Sequence, residues 1–230
     1  VLLSFTDRLI INLVVDDIRA ELGLSDLGVS LLQGLGFALI YAFAGLPMGR
    51  IADRTNRRNL IATCIAFWSA ATMACGIAQS YMQVLITRLA VGVGESGYGP
   101  ATWSIITDSY PREKVAFGTS TLNIGAQVGT GLALFLGGWA LAVVSHFPSV
   151  DLPFGGQIRN WQWAFILVGF PGLLWALMVL TIKEPKRRGL GGQKMKVVPL
   201  SELARWIGND WRAYLGCLGG LCLKYLMSMG

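Results

Sequence analysis

The sequence predicts an all-α membrane protein with several spanning helices, and three observations lead to this fold class. Hydrophobic residues make up 53% of the 230 residues and charged residues only 14%, while the mean hydropathy is +0.55. Uncharged runs such as 27–49 and 59–87 reach or exceed the roughly 20 apolar residues that one bilayer crossing needs. Lys and Arg are concentrated in short segments between such runs. A soluble chain of this length has no reason to be so poor in charge.

The uncharged runs and the charged breaks between them place the helices in order. We expect six spans and the start of a seventh, at residues 1–15, 27–48, 59–78, 81–110, 115–144, 161–182 and from 211 onwards. Residues 16–26 carry four acids against one Arg and suit a loop on the outside. Residues 49–58 carry four Arg and one Asp and suit a short loop on the inside. A short amphipathic helix at 199–210 is expected to lie on the membrane, because its apolar residues share one face.

The positions of Lys and Arg predict which side of the membrane each loop occupies. Fourteen of them fall in the segments assigned to the inside, and only Arg19 and Arg159 fall in the segments assigned to the outside. Lys and Arg near the ends of spans are retained on the cytoplasmic side. We therefore expect a multi-pass protein of the cell membrane with a cytoplasmic amino terminus. Because residue 1 lies inside an apolar helix, we also expect the sequence to be part of a longer chain.

Several functional classes are disfavoured by the composition. The net charge of +6 is explained by the inside loops, which lack interleaved aromatic residues, so no nucleic-acid partner is expected. All four cysteines lie in apolar runs without metal-ligand spacing, so we expect no disulfide, metal or cofactor. No nucleophile motif or phosphate-binding loop is found, so the protein is not expected to be an enzyme. The expected partners are protons, the lipid bilayer and a small-molecule or lipid substrate, bound by a monomer.

Residues 49–58 resemble the signature that joins the second and third helices of the major facilitator superfamily, G-x-x-x-D-R-x-G-R-R/K. The residues that match it are Gly49, Asp53, Arg54, Arg57 and Arg58. Asn56 stands where glycine is usual, which is a mild departure because Asn also tolerates the left-handed backbone that a tight turn needs. The plain alternative is an Arg-rich loop that only anchors two helices at the membrane surface.

This resemblance implies the major facilitator fold, with an amino-terminal six-helix bundle and with the carboxy-terminal bundle missing. The expected parts are the bundle at 1–182, a cytoplasmic connection with the amphipathic helix at 183–210, and the first helix of the second bundle at 211–230. Its inside face is implied to carry a conformational latch, formed by Asp53, Arg57 and Asp108, that locks onto the missing half in the outward-open state. The alternative for these residues is that the two acids are helix caps beside basic residues.

Ionisable residues lie deep inside two of the predicted spans, where each costs roughly 2.5–3.5 kcal/mol on insertion scales. Asp7 and Arg8 lie in the first helix, and Arg88 and Glu95 lie in the fourth. Arg88 and Glu95 are seven residues apart, so they share a helix face about 10 Å apart. Since Asp7 and Glu95 are carboxyls near the midplane with Arg nearby, we expect them to bind the proton that drives transport. The alternative is a buried ion pair that only holds the two helices together.

The run that begins at Arg88 resembles the superfamily's R-x-x-x-G-x-G element. The Glu95 that follows it, together with Asp7 and Arg8, resembles the Spinster family of lysolipid and sphingolipid transporters. For the glycines Gly92 and Gly94 in this run we prefer plain helix packing, as small residues provide in lipid.

The substrate is expected to lie between the two bundles, at the depth of these charges. The candidate binding residues are Arg8, Arg88, Phe37, Tyr41, Tyr98, Asn123, Gln127 and Lys224. Phe37 and Tyr41 are four residues apart on one helix face, and so are Asn123 and Gln127. For Lys224 the alternative is that its side chain extends to the membrane surface.

Taken together, these features predict a secondary transporter that works by alternating access and is proton-linked. The expected substrate is an amphipathic lipid such as a lysophospholipid or a sphingoid phosphate. The alternatives within the superfamily are an organic-anion symporter and a drug–proton antiporter. A channel or receptor would show no saturable, gradient-driven flux, and a membrane enzyme would turn over its substrate without a gradient.

Overall fold

The fold is almost entirely helical. The structure is a computed structural model that describes residues 2–147, 150–151, 157–188, 200–217 and 219–220. The chain divides into two compact units, Val1–Gly192 and Gln193–Gly230. The predicted positions of Lys224 and Cys222 lie outside the described residues.

Six long helices form the first unit. They are α1 (Leu2–Leu22), α2 (Asp26–Arg54), α3 (Arg57–Cys75), α4 (Tyr81–Ser109), α5 (Val115–Val144) and α6 (Asn160–Val179). A π-helical stretch, Leu31–Leu35, lies within α2, and a 3₁₀ turn, Arg112–Lys114, precedes α5. Strands β1 (Val150–Asp151) and β2 (Gln157–Ile158) pair antiparallel between α5 and α6.

The second unit contains helix α7 (Leu200–Asn209), followed by helical residues 211–217. These bounds lie within one residue of the predicted amphipathic helix and coincide with the predicted start of the seventh span. Trp206 and Ile207 on α7 are exposed. The side chains of Leu200 and Leu203, which the prediction placed on the same apolar face, are outside the described residues.

Helix α1 is longer than predicted. It continues through the acidic segment to Leu22, so the predicted loop at 16–26 is reduced to Gly23–Ser25. Gly23 has φ +61°, and the N–H of Leu24 donates to the carbonyl of Arg19 over 3.2 Å, which is a glycine-terminated helix end. Acidic residues do not break a helix where it leaves the membrane, and this is why charge alone placed the end of α1 too early.

The Arg-rich segment is also mostly helical, so the prediction of a loop over residues 49–58 was wrong. Helix α2 continues to Arg54 and α3 begins at Arg57, which leaves only Thr55 and Asn56 between them. Asn56 has φ −70°, which is outside the left-handed region. Its side-chain oxygen accepts a hydrogen bond from the N–H of Asn59 over 2.9 Å. Asn56 is therefore the N-cap of α3, a position that Asn favours.

The other helix ends agree better with the sequence. The predicted fifth span, 115–144, coincides with α5, and the predicted ends of the remaining spans differ from the structure by three residues or fewer. Differences of one or two residues are within the uncertainty of any helix assignment.

Pairwise packing holds the six helices together. Helix α3 packs against α4 and α6, α2 packs against α4, and α1 packs against α5 and α6. Gly94 permits a close approach of α3 and α4, since a Cβ there would lie 2.8 Å from the Cβ of Trp68. Gly129 does the same for α5 and α1, since its Cβ would lie 3.2 Å from the Cα of Leu2. These contacts agree with the packing role expected of small residues in membrane helices.

The helices have the length and composition of a membrane protein. Three of them, Asp26–Arg54, the turn-plus-helix Arg112–Val144, and Asn160–Val179, are long and apolar enough to cross a membrane. Helices α1, α3 and α4 are 21, 19 and 29 residues long. They contain most of the buried ionisable side chains of the described part of the chain.

The two ends of the bundle differ in charge. The end formed by Thr55–Asn56, Pro111–Lys114 and 183–188 is called the basic end. The opposite end, where β1 and β2 lie, is called the hairpin end. There, Glu21 accepts hydrogen bonds from Arg159 Nη1 over 2.7 Å and from Trp161 Nε1 over 2.6 Å, which ties α1 to α6.

The first prediction concerns orientation. Because Lys and Arg are retained on the cytoplasmic side, we expect the basic end to be cytoplasmic. Single cysteines at Asn56 and Asp151, in a background without the native cysteines, test this with a reagent that does not cross the membrane. Label added from outside is expected to react at position 151 and not at 56. The reverse pattern would contradict the proposed orientation.

Candidate functional site

An ion pair between Arg8 on α1 and Glu95 on α4 lies near the middle of the bundle. The Nε of Arg8 donates to Glu95 Oε2 over 2.7 Å, and its Nη2 lies 2.6 Å from the same oxygen. Ser4 Oγ donates to that oxygen as well, over 2.9 Å. The side chain of Glu95 is 1% exposed and that of Arg8 is 38% exposed. A buried carboxylate therefore holds a cation that remains accessible from outside the bundle.

Two aromatic rings form the apolar surface on which this cation rests. Phe37 and Tyr41 are four residues apart on α2, which places them on one helix face. Their ring centroids are 5.8 Å apart, and Arg8 Cζ lies 4.8 Å from that of Phe37 and 5.1 Å from that of Tyr41. Cation–π attraction at such distances adds to the ion pair. Arg8, Glu95, Phe37 and Tyr41 are called the Arg8 site.

Ser4 was missed in the sequence analysis, although a signal for it existed. It lies four residues before Arg8 in the same helix, a spacing that places both side chains on one face. A serine four residues from an arginine is a common pattern. Ser4 could therefore not be singled out without knowing that Glu95 of α4 packs against this face of α1.

Asp7 and Arg88 lie on the other side of α1, inside the bundle. Asp7 is 1% exposed and Arg88 is 2% exposed. Arg88 Nη1 donates to the backbone carbonyl of Asp7 over 3.0 Å, and its Cζ lies 5.9 Å from the ring centroid of Phe165 on α6. Successive residues of a helix point about 100° apart, so Asp7 and Arg8 diverge. Arg88 consequently does not reach the exposed surface where Arg8 lies.

The remaining predicted binding residues that the structure describes, Tyr98, Asn123 and Gln127, lie on α4 and α5. Tyr98 packs edge-on against Trp68 of α3, with ring centroids 5.7 Å apart. Asn123 and Gln127 are exposed on α5. Gly129 lies against Leu2 at the first turn of α1, so Asn123 and Gln127 lie nearer the basic end than the Arg8 site does.

A second cluster of charges lies at the basic end and is centred on Arg57, whose side chain is fully buried. Its Nη1 donates to Asp108 Oδ2 over 2.5 Å and to Ser104 Oγ over 2.7 Å. Its Nε donates to Glu184 Oε1 over 2.8 Å, and its Nη2 donates to the carbonyl of Pro185 over 2.9 Å. Two of the three predicted latch residues, Arg57 and Asp108, are therefore in contact, and the latch itself stays a prediction.

Asp53 is placed differently from the other two predicted latch residues. It is exposed at the end of α2. Among the described residues, Arg57 has its carboxylate contacts with Asp108 and Glu184 and none with Asp53. The sequence analysis missed Glu184 because it lies in a segment that was classified by its Lys and Arg. One acid within a strongly basic run was the available signal.

The contact with Arg57 lowers the pKa of the Glu184 carboxyl. Burial acts to raise the pKa of its carboxyl, but hydrogen bonds from the Arg57 side chain and from the N–H of Arg58 outweigh burial, so the pKa lies below its usual range. Glu184 is thereby held as an anion at the amino-terminal end of α3, where the helix dipole favours negative charge.

Arg187 and Arg188, which follow Glu184, bind the carboxy-terminal ends of helices. Arg187 Nη2 donates to the carbonyl of Ala52 over 2.6 Å and to that of Thr55 over 2.8 Å, at the carboxy-terminal end of α2. Arg188 Nη1 donates to the carbonyl of Tyr110 over 3.2 Å, at the end of α4. Cations suit these positions because the last carbonyls of a helix are unpaired and partly negative. Residues 184–188 therefore connect the basic ends of α2, α3 and α4.

No metal-binding arrangement was found in the part of the chain that the structure describes, since it holds no group of three His, Cys, Asp or Glu side chains suited to an ion. Cys64 and Cys75 are buried free thiols, and Cys217 is an exposed one.

Comparison with known proteins places this geometry in a family. The family model described as Major Facilitator Superfamily matches residues 1–230. The mouse protein named sphingosine-1-phosphate transporter SPNS2 is 29% identical over 220 residues, covering 93% of this chain and 37% of that protein. An MFS-type efflux pump of Mycolicibacterium smegmatis is 28% identical over 180 residues, covering 78% of this chain and 38% of that protein.

A solved structure is similar as well. The crystal structure of a bacterial homolog to the human lysosomal transporter Spinster, in an inward-facing and occupied conformation, superposes with a TM-score of 0.71 at 34% sequence identity. The match covers 84% of this chain and 45% of that one. The chain thus spans less than half of this structure and, in the two relatives above, 37% and 38% of their length.

The second prediction concerns the Arg57 cluster. Glu184→Gln leaves the buried Arg57 with one fewer carboxylate, and we expect it to lower the free energy of unfolding by about 1–3 kcal/mol at neutral pH. The folded-state pKa of Glu184 is lowered. The extra free energy of unfolding of wild type over Glu184→Gln is therefore fully present above the unfolded-state pKa of the carboxyl. It is lost as the pH falls through the folded-state pKa.

Denaturant unfolding across pH, with the protein in detergent, measures this effect. Asp53→Asn is the matched control, since it removes an exposed carboxylate at the same end of the bundle and is expected to change stability little. A Glu184→Gln protein as stable as wild type at neutral pH would show that the Arg57–Glu184 contact contributes nothing.

Proposed function

Because the chain belongs to the major facilitator superfamily, we propose that it is the amino-terminal part of a proton-linked carrier for an amphipathic lipid anion. Family membership supports an all-α, multi-pass membrane protein of facilitator fold that is similar to Spinster proteins. Transport, and not catalysis, is the activity that we propose for the complete protein. The proposed arrangement keeps the predicted parts: a bundle at 1–182, a connection at 183–210 and the start of a second bundle at 211–230. Alternating access between two such bundles is the proposed mode of transport.

The observation that carries this proposal is the exposure of Arg8 on an aromatic surface. Its side chain is 38% exposed while that of its partner Glu95 is 1% exposed, so an incoming anion meets the cation first. A guanidinium presents N–H groups in a fixed fork that suits phosphate and carboxylate. Phe37 and Tyr41 beside it offer apolar contact to the part of the ligand next to the anionic head.

Proton binding and anion binding are linked at this site. Glu95 occupies the Nε and Nη2 donors of Arg8, and an anionic head group requires the same donors. When a proton neutralises Glu95, its attraction for Arg8 falls and the donors become available to the ligand. Protonation of Glu95 is therefore proposed to favour anion binding, which couples the two by direct competition for one guanidinium.

A lipid anion fits this surface better than a fully polar solute. A sugar requires hydrogen bonds on all sides, whereas the Arg8 site offers one cation beside two aromatic rings. A sphingoid phosphate or a lysophospholipid has one anionic head and one apolar tail. The name of the mouse relative, sphingosine-1-phosphate transporter, supports the same chemical class. Among the predicted binding residues, Arg8, Phe37 and Tyr41 carry this proposal, and Arg88 supports α1 from inside the bundle.

Two other substrates stay as alternatives within the family. The first is an organic anion without a tail, which would also pair with Arg8. The second is the substrate of a drug–proton antiporter, an alternative supported by the similarity to the efflux pump of Mycolicibacterium smegmatis. A cationic drug would have to bind beside Arg8 and would be repelled by it. Binding of cations in preference to anions would favour the antiporter.

We also propose that the basic end holds the conformational latch. Arg57 and Asp108 are joined inside the bundle, so the exposed Asp53 is the member that is free to meet the second bundle. The cell membrane, a cytoplasmic amino terminus, a monomeric state and the absence of a nucleic-acid partner stay predictions.

The third prediction concerns coupling. Glu95→Gln imitates the protonated carboxyl in size and charge, so we expect lipid binding to become independent of pH while the protein stays folded. Proton-driven uptake into proteoliposomes is expected to be lost. Glu113→Gln, an exposed carboxyl at the basic end, is the control and is expected to keep the wild-type pH profile. Full proton-driven flux in Glu95→Gln would show that the Arg8–Glu95 pair is only structural.

The fourth prediction concerns the latch. Asp53→Asn removes the exposed charge that is proposed to meet the second bundle, so the population is expected to shift towards the inward-open state. Distances between spin labels on the two halves of the basic end, measured in the complete transporter, report this shift. An unchanged distance distribution would limit Asp53 to a local role at the end of α2.

The fifth prediction concerns the ligand. Arg8→Ala is expected to weaken binding of a lysophosphatidate or a sphingoid phosphate by about ten- to hundredfold, since a hydrogen bond to a charged group contributes about 1.5–3 kcal/mol. Binding of an uncharged monoacylglycerol is expected to change little. Arg88→Ala is the matched comparison: it removes a buried support of α1 and is expected to weaken both ligands equally. Equal losses in Arg8→Ala would show that Arg8 does not bind the head group.

A further inference from the structure

Three donor groups of α1 meet at one oxygen of Glu95. Its Oε2 accepts hydrogen bonds from Arg8 Nε over 2.7 Å and from Ser4 Oγ over 2.9 Å, and Arg8 Nη2 lies 2.6 Å from it. Within the described part of the chain, Glu95 Oε1 is buried and has no hydrogen-bond partner. The two oxygens of this carboxylate are therefore not equivalent.

This geometry differs from the frequent bidentate pairing of an arginine with a carboxylate. In a bidentate pair, two parallel N–H groups of the guanidinium meet the two carboxylate oxygens, one each. Here both nitrogens of Arg8 contact Oε2, and the hydroxyl of Ser4 reaches the same oxygen from the preceding turn of α1. The donors of α1 therefore hold Glu95 by Oε2 and leave Oε1 without a donor.

Burial separates the role of Ser4 from that of Arg8. Ser4 is 9% exposed and lies four residues before Arg8, on the face of α1 that meets α4. Its hydroxyl has little access to water and so keeps its contact with the carboxyl. The side chain of Arg8 is 38% exposed and can turn towards a ligand. When an anionic head group binds the guanidinium, Ser4 is the donor that stays with Glu95.

We propose that Ser4 is a positioning residue for Glu95, which holds Oε2 against α1 and leaves Oε1 as the atom that takes up the proton. This inference rests on the proposed proton coupling and deepens it. A proton from bulk water forms an O–H bond at Oε1, so the carboxyl becomes neutral and its pair with Arg8 gains one positive charge. The anionic head group then balances that charge, while Ser4 Oγ continues to donate to Oε2.

Charged and titratable groups of four helices lie around Glu95. They are Asp7 and Arg8 on α1, Tyr41 on α2, Cys64 on α3, and Arg88 and Tyr98 on α4. Helices α5 and α6 contain no titratable side chain. Because Ser4 carries no charge, replacing it removes one hydrogen bond at Glu95 and leaves the charges around the carboxyl unchanged.

Binding of lysophosphatidylglycerol to the complete transporter, measured across pH, tests the role of Ser4. The phosphodiester of this lipid keeps one negative charge, so the pH dependence belongs to the protein. The hydrogen bond from Ser4 favours the ionised carboxyl, and Ser4→Ala removes it. We expect the midpoint of the pH dependence to move to higher pH by about one unit, the shift that a single hydrogen bond to a charged group produces. The affinity at low pH, where Glu95 is protonated, is expected to stay that of wild type.

Infrared difference spectra of the same protein in proteoliposomes, recorded on a pH jump, test which oxygen carries the proton. The carboxyl band that disappears in Glu95→Gln identifies protonated Glu95. With the proton on Oε1, the C=O oxygen is Oε2, which accepts from Ser4, so Ser4→Ala is expected to move this band to higher wavenumber. With the proton on Oε2, the C=O oxygen is Oε1 and the band would stay in place.

Two variants serve as controls. Ser96→Ala, next to Glu95 on α4, removes a hydroxyl that is 1% exposed as a residue and donates to the carbonyl of Val93 over 2.7 Å. It is expected to leave the Glu95 band and the pH midpoint unchanged. Ser4→Thr keeps a hydroxyl at position 4 and is expected to restore both, which separates a lost hydrogen bond from a folding defect.

The outcomes are distinct. A Glu95 band that Ser4→Ala does not move would overturn the proposal and leave the proposed proton coupling intact, and so would an unchanged pH midpoint. An equal loss of affinity at every pH would limit Ser4 to holding the helices together. A pH jump that produces no Glu95 band would overturn both this inference and the role of Glu95 in proton coupling.

Discussion

The constraint on which this structure depends is that a charge buried among apolar helices must be paired. Each buried ion therefore decides which helices come together. Glu95 fixes α4 to α1 through Arg8 and Ser4, and Arg57 fixes α3 to α4 through Asp108. Removing one partner of such a pair is far more costly than the pair's net contribution, because the remaining charge stays buried. The switching roles proposed for Glu95 and for the Arg57 cluster depend on the same property, since a charge that loses its partner must find another.

Asp7 and Arg8 on α1 illustrate how neighbouring residues acquire different surroundings. They adjoin each other, yet the helix turns Arg8 towards the aromatic surface of α2 and Asp7 towards Trp68 and Thr72 on α3. The side chain of Arg8 is 38% exposed, whereas Asp7 is 1% exposed. Two successive residues of one helix thus supply an accessible cation and a carboxyl buried inside the bundle.

Part of this arrangement was readable from the sequence, and the errors have definite causes. The uncharged run of α5 gave both of its ends, because there the apolar layer and the helix coincide. The ends of α1 and α2 were placed too early. Charged residues mark where a helix leaves the membrane, whereas the helix itself ends only near Gly23 for α1 and just before Asn56 for α2. Arg8 and Glu95 were recognisable as site candidates because buried ions are rare, but the sequence did not tell which of Arg8 and Arg88 pairs with Glu95. Glu184 was not, because its contact with Arg57 spans 127 residues.

Helix α4 is the element that the two charge clusters share. Glu95 and Asp108 are 13 residues apart on it, which is about 20 Å along a helix axis. Pro100 lies within α4 between these two points, and a proline inside a helix removes one backbone hydrogen bond and favours a bend there. The Arg8–Glu95 pair and the Arg57–Asp108 pair therefore hold the two parts of α4 on either side of this proline, the first part to α1 and the second to α3.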